Sequence, residues 1–360
     1  MAAPRRVAVA EQPLPMRSLL IRLGSGAQAH PWSAYLPERL RPLDQRCVYS
    51  ASSYKDVAAF ECGPQSASSD GLPSPRRRAP RTELDNLMVA GRVWTLSQEA
   101  HGCRQVQEAL DHADGNAQRD AYADELRGHI LEAARCPHAN HVLQKCIVTV
   151  PALSLQFAVD EIMEGNISQL ACDKYGCRVV QRVVEYRPTP QVEGLVEGLI
   201  SDVAVLARHP YGNYVVQVLL KHGTDEQRER ATRALARNLQ GIVAESHGCA
   251  VMSAALSYGE VSPPGRHRRH RRRLRHVLAQ RLLGEPGLLV FLAGTKYGHA
   301  AALRALEVLE GEDLKRALQS LGAEADALWQ SRYGREVVDL LGTFGFHSKC
   351  LSVQAHVAGA

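Results

Sequence analysis

Aromatic residues are scarce, at 5% of the 360 positions, while hydrophobic residues in total reach 45%. A core of this size with so few rings excludes most β-sandwich designs and favours helices packed through Ala, Leu and Val. Cysteines number nine, an odd count without a Cys-x-x-Cys pair. A disulfide framework is therefore not expected in so long a chain, and a reducing compartment fits better. No apolar run reaches the roughly 18 residues that a membrane helix needs. No Ser-His-Asp set, carboxylate pair or phosphate-cradling Gly loop stands at consistent positions, so neither an enzyme nor a cofactor is expected. The formal net charge of +5 leans mildly toward polyanionic partners.

Residues 1–85 show no sustained period and are dense in Pro, Ser, Gly and Ala, ending in the basic run Ser74 to Arg81. They read as a mostly disordered arm. Four arginines against the single acid Glu11 in the first 25 residues would also suit organelle targeting, the less favoured reading.

From residue 86 to 345 a repeat is present. His101-Gly102, His138-Ala139, Tyr175-Gly176, Tyr211-Gly212, His247-Gly248, Tyr297-Gly298 and Tyr333-Gly334 are spaced by 37, 37, 36, 36, 50 and 36 residues. Five residues before each anchor stand Leu96, Ala133, Leu170, Leu206, Ile242, Leu292 and Leu328, all apolar. Apolar residues also stand five after, and nine after in all but the last repeat (Gly342), which places both columns on one face of a helix beginning near the anchor. The anchor Gly is expected to loosen the chain at that start. A second helical stretch lies between anchors, clearest over 225–239. Units of two or three helices in about 36 residues cannot bury their own apolar faces, so they must stack. The fold class expected is all-α, an α-solenoid. The long interval holds a basic insertion, 259–273, read as an exposed loop, and residues 346–360 as a tail.

Just after each anchor, the first, second and fifth helix positions carry the informative residues. The first four repeats give Cys103-Arg104-x-x-Gln107, Asn140-His141-x-x-Gln144, Cys177-Arg178-x-x-Gln181 and Asn213-Tyr214-x-x-Gln217. First and fifth are i and i+4, neighbours on one face that is expected to be exposed. Two short polar side chains one turn apart can hydrogen-bond the edge of an unpaired base, while a flat side chain beside them stacks on its face, worth roughly 1–3 kcal/mol per base.

These residues resemble the Pumilio (PUF) family of RNA-binding repeats, and YGNYVVQVLLKHG at 211–223 is close to the family's signature helix. The resemblance implies a right-handed α-α superhelix that binds single-stranded RNA one base per repeat. It implies that Asn213 with Gln217 and Asn140 with Gln144 read uracil, and that Cys177 with Gln181 and Cys103 with Gln107 read adenine. Tyr214, Arg178, His141 and Arg104 would stack. With RNA running antiparallel, the core is 5′-UAUA-3′. The family further implies mRNA partners, often in 3′ untranslated regions, post-transcriptional control of stability or translation, a monomeric chain and a cytoplasmic location, with nucleus or nucleolus as the alternative.

The last three repeats depart from this pattern: Cys249-Ala250-x-x-Ser253, His299-Ala300-x-x-Leu303 and Arg335-Glu336-x-x-Asp339. They are expected to be caps or protein-binding units. In family register the intact repeats resemble the third to sixth of eight. Arg268, Arg269, Arg271 and Arg272 in the basic insertion are candidate phosphate contacts. The recurring Cys column lacks His or Cys partners at ligand spacing, so no metal is expected. The other architectures considered are a HEAT- or armadillo-type protein scaffold and a nucleolar ribosome-assembly factor related to the family.

Overall fold

The computed structural model describes residues 89–257 and 266–343, with side chains of the second stretch from 269 to 342. The N-terminal arm, the tail and the first part of the basic insertion lie outside the described residues. All regular structure among the described residues is helical. Each of the first six repeats opens with a short helix, continues with the helix at the anchor, and ends with a third. In chain order these are α1 (Val93–Ser97), α2 (Ala100–Asp111) and α3 (Asn116–Asp124), then α4 (Ile130–Arg135), α5 (Ala139–Thr149) and α6 (Gln156–Glu164). Next come α7 (Ile167–Ala171), α8 (Gly176–Tyr186) and α9 (Thr189–Ser201), then α10 (Val203–Arg208), α11 (Gly212–His222) and α12 (Asp225–Arg237). The fifth repeat holds α13 (Leu239–Val243), α14 (Ser246–Ser257) and α15 (Arg266–Gly284); the sixth, α16 (Leu288–Gly294), α17 (His299–Val308) and α18 (Gly311–Ala323). The seventh adds α19 (Ala325–Trp329) and α20 (Arg332–Thr343).

The middle helices pack on one another in sequence, α2 on α5, α5 on α8, α8 on α11, and so on to α20. From α6 to α18 the third helices pack in a second layer. The apolar columns read from the sequence are the contact between layers: Val106, Leu143, Val180, Val216, Met252, Ala302 and Val338 are all fully buried. The array is thus an α-solenoid with a continuous core.

The anchor glycine has a different job from loosening the chain. A Cβ on Gly102, Gly176, Gly248 or Gly334 would stand 2.3, 2.6, 1.8 or 2.2 Å from the carbonyl oxygen of the short helix before it. The middle helix therefore starts in direct contact with that backbone, and only hydrogen fits. In the second repeat the anchor is Ala139, and there the apolar column before it is also smaller, Ala133 in place of Leu or Ile.

Two further devices set the entry of the first three repeats. Glu125 accepts hydrogen bonds from the backbone N–H groups of Gly91 (2.7 Å) and Val93 (2.8 Å) at the start of α1, and Glu161 from Gly128 (2.8 Å) and Ile130 (3.2 Å) at the start of α4. Gly91 and Gly128 have φ of 76° and 80°, which favours glycine. In the third repeat Asn166 caps α7 itself, and Glu197 is left to pair with Arg230 of the next repeat.

The basic insertion is not a loop from Arg266 onward. It is the first half of α15, which at 19 residues outruns the 13 of α9, α12 and α18. Arginine is a good helix former, and Leu278, Ala279 and Leu282 continue the apolar stripe into the core, fully buried. No single helix among the described residues is long and apolar enough to cross a membrane.

Candidate nucleic-acid interface

The first-position residues of the intact repeats are not on an exposed face. Cys103, Asn140, Cys177 and Asn213 are only 5%, 1%, 1% and 2% exposed. Each turns back on the carbonyls of the anchor turn. Asn140 Nδ2 donates to Cys136 O (2.7 Å), and Asn213 Nδ2 to His209 O (2.9 Å) and Pro210 O (2.8 Å). The thiols of Cys103 and Cys177 donate to Ala100 O (3.3 Å) and Lys174 O (3.4 Å). Sequence spacing places these residues beside the glutamines but says nothing of the backbone acceptors below them.

The glutamines lie above, half-buried. Gln144 Nε2 donates to Asn140 Oδ1 at 2.9 Å and Gln217 Nε2 to Asn213 Oδ1 at 3.0 Å, so each Asn orients its Gln. Gln107 Nε2 reaches Cys103 O at 3.1 Å. Gln181 differs: beside a Cys its Nε2 is buried and has no hydrogen-bond partner among the described residues. An unmet buried donor costs free energy on the order of 1–3 kcal/mol, and a ligand acceptor placed there would recover it. Burial raises the Cys177 thiol to about 11 and raises that of Cys103, which keeps both as neutral donors near pH 7.

Second-position side chains sit at the rim, Arg104 and His141 exposed, Arg178 and Tyr214 half-buried. The Arg178 guanidinium carbon lies 5.7 Å from the Tyr214 ring centroid, bridging repeats three and four. Burial, followed by the charge of His138, lowers the His141 pKa and favours the neutral ring. In repeats three and four the anchor turns are held by side-chain acceptors two residues before the anchor. Asp173 Oδ1 accepts from the N–H groups of Tyr175 (2.8 Å) and Gly176 (2.7 Å); His209 Nδ1 accepts from those of Tyr211 and Gly212, both at 3.2 Å.

Repeats five to seven lack this arrangement. The Cys249 thiol points inward to Val243 O (3.2 Å), beside the small Ala250 and Ser253. His299 faces the seventh repeat, 3.7 Å from a Glu336 carboxylate oxygen and 5.1 Å between ring centroids from Tyr333. Leu303 packs against the core. The candidate phosphate contacts are placed elsewhere. Arg269, Arg271 and Arg272 are on α15 in the outer layer, apart from the four intact grips; Arg271 Nε lies 3.8 Å from Asp225, and Arg272 pairs with Glu310. The Arg268 side chain lies outside the described residues.

The model of the Pumilio-family RNA binding repeat matches residues 92–127, 129–163, 166–200 and 202–231. These four segments are the four repeats with an intact set. The chain carries four Pumilio-family repeats. That separates it from HEAT and armadillo scaffolds. Among curated Pumilio proteins, a Pumilio domain-containing protein of Schizosaccharomyces pombe is 29% identical over 134 residues, 37% of this chain and 20% of that protein. Pumilio homolog 12 of Arabidopsis thaliana is 25% identical over 173 residues, 47% of this chain and 29% of that protein. The chain thus matches less than a third of either relative's length. In three dimensions the Pumilio array resembles PUF-8, solved in complex with PBE-RNA, with TM-score 0.62, 23% identity and coverage of 71% of this chain and 72% of that one. The Puf3 RNA binding domain, bound to a Cox17 RNA 3′ UTR recognition sequence, gives 0.60 and 22%, covering 71% and 75%. These likenesses carry the superhelical fold.

Proposed function

We propose that repeats one to four bind single-stranded RNA one base per repeat, with 5′-UAUA-3′ as the core. The observation that carries this reading is the Gln column. Four glutamines at one helix position are seated on Cys or Asn in the same four repeats that the family model matches. An amide offers uracil both a donor and an acceptor. A neutral thiol leaves room beside adenine, and the unpartnered Gln181 Nε2 supplies a donor to it. The RNA-bound states of PUF-8 and the Puf3 domain support the same class of ligand.

Each base would discriminate by roughly 1–3 kcal/mol, so four bases specify a transcript only in combination with other contacts. We therefore place the protein in post-transcriptional control of mRNA, acting through 3′ untranslated regions in the cytoplasm as a monomer, with protein partners on the degenerate repeats. Titrating a labelled UAUA strand against strands altered at one base each tests the reading. A loss of about tenfold per altered base is expected; equal affinities for all strands would refute it.

A further inference from the structure

The outer layer changes sign along the array. Helices α6 and α9 carry five acids and no Lys or Arg. Helix α15 carries eight arginines, three histidines and no acid. Much of the acidity is spent internally, Glu161 on the entry of α4 and Glu197 on Arg230. The basicity is only partly met in this way. Asp225 and Glu229 of α12 face Arg271 (3.8 Å) and His270 (3.6 Å), and Glu310 pairs with Arg272. Yet Arg237, Arg269, Arg273 and Arg281 are exposed and form no hydrogen bond or ion pair with a described residue.

We propose that the outer layer of repeats four and five is a second RNA surface, one that holds the phosphate backbone whatever the base sequence. Exposed arginines on two packed helices present planar, always-charged donor forks, which suit phosphate oxygens. Val277 is the sole large apolar residue exposed on these two helices, and no exposed aromatic accompanies it among the described residues. The surface therefore has neither the platform that stacks bases nor the aromatic anchors of a protein interface. Charge alone is offered, and that is what sequence-independent phosphate binding uses. This surface does not depend on base reading by the middle helices. It supplies affinity that a four-base core lacks.

The full chain and a variant with Arg237, Arg269, Arg273 and Arg281 each changed to Gln are compared on two probes. One is double-stranded RNA without the UAUA sequence, the other a short single strand containing it. The variant is expected to bind the duplex at least about tenfold more weakly. The slope of log affinity against log salt should fall by up to about 3.6, near 0.9 for each phosphate no longer neutralised. Affinity for the short strand should stay within about twofold, and the melting temperature should not fall. Unchanged duplex affinity would overturn the proposal, as would parallel weakening on both probes. Self-association that the variant abolishes, with duplex binding intact, would assign the patch to a protein and also overturn it. Absence of base selectivity in the short strand alone would refute the base-reading proposal and leave this one standing.

Discussion

The guanidinium of Arg178 lies over the ring of Tyr214, 5.7 Å from its centroid, so the stacking residues of repeats three and four pair with each other. A base entering between them exchanges one cation–π contact for stacking on both of its faces. Stacking is worth roughly 1–3 kcal/mol per base. Tyr214→Ala is expected to weaken binding of the UAUA strand by about tenfold or more, measured by fluorescence anisotropy, with the preferred sequence unchanged. A redirected preference would show that Tyr214 reads the base edge.

Gln181 and Gln217 occupy the same column with opposite local chemistry. Gln217 bonds Asn213, whereas the Gln181 Nε2 donor is buried without a partner. Replacement by Leu separates them. Gln217→Leu leaves Asn213 Oδ1 unpaired and is expected to lower stability by about 1 kcal/mol. Gln181→Leu removes an unmet donor and is expected to leave the RNA-free protein equally or more stable. Urea unfolding of both variants measures this, and an equal loss would contradict the assigned hydrogen bonds.

Close approach, not flexibility, accounts for the anchor glycines, and substitution should rank accordingly. A Cβ on Gly248 would stand 1.8 Å from Ile242 O, whereas on Gly212 the nearest contact is 3.0 Å. Gly248→Ala is expected to cost about 1–3 kcal/mol, the range for overpacking, and Gly212→Ala less. The reverse order in thermal melts would count against this explanation.

His209 holds its anchor turn through an unprotonated Nδ1, which accepts two backbone N–H groups. Burial first, then the charge of His247, lowers its pKa from 6.5. The unfolded chain thus takes up the proton at higher pH than the folded one. The associated stability is fully present above about 6.5 and is lost as pH falls through the lower folded value. His209→Asp, which reproduces the Asp173 cap, is expected to flatten the stability profile below about pH 6.5. His141, His222 and His247 are shifted the same way and retain their share. A profile as steep as wild type would exclude His209 as a contributor.

The sequence carries the architecture because repetition prints one contact seven times. The anchors, the apolar columns and the Gln column are each visible as a register. What escapes is whatever depends on a backbone atom from elsewhere: the carbonyls beneath Asn140 and Asn213, and the oxygen against each anchor glycine. Glu125, Glu161 and Glu197 recur at 36 residues and offered a signal, but their roles differ because Asn166 caps its own helix. The helical course of Arg266 to Arg273 was masked by charge. Its signal was the stripe through Leu274, Leu278 and Leu282, which the arginine run precedes without interruption.

Selection of bound sequences from a random RNA pool tests one-base-per-repeat reading most directly. Wild type is compared with the double variant Asn213→Ser, Gln217→Glu. A Ser/Glu pair reads guanine in Pumilio repeats, since a carboxylate accepts from both Watson–Crick donors of that base. Enrichment of UAUA by wild type and of GAUA by the variant, with the other three positions unchanged, is the expected result. The same motif from both proteins, or no motif from either, would contradict it.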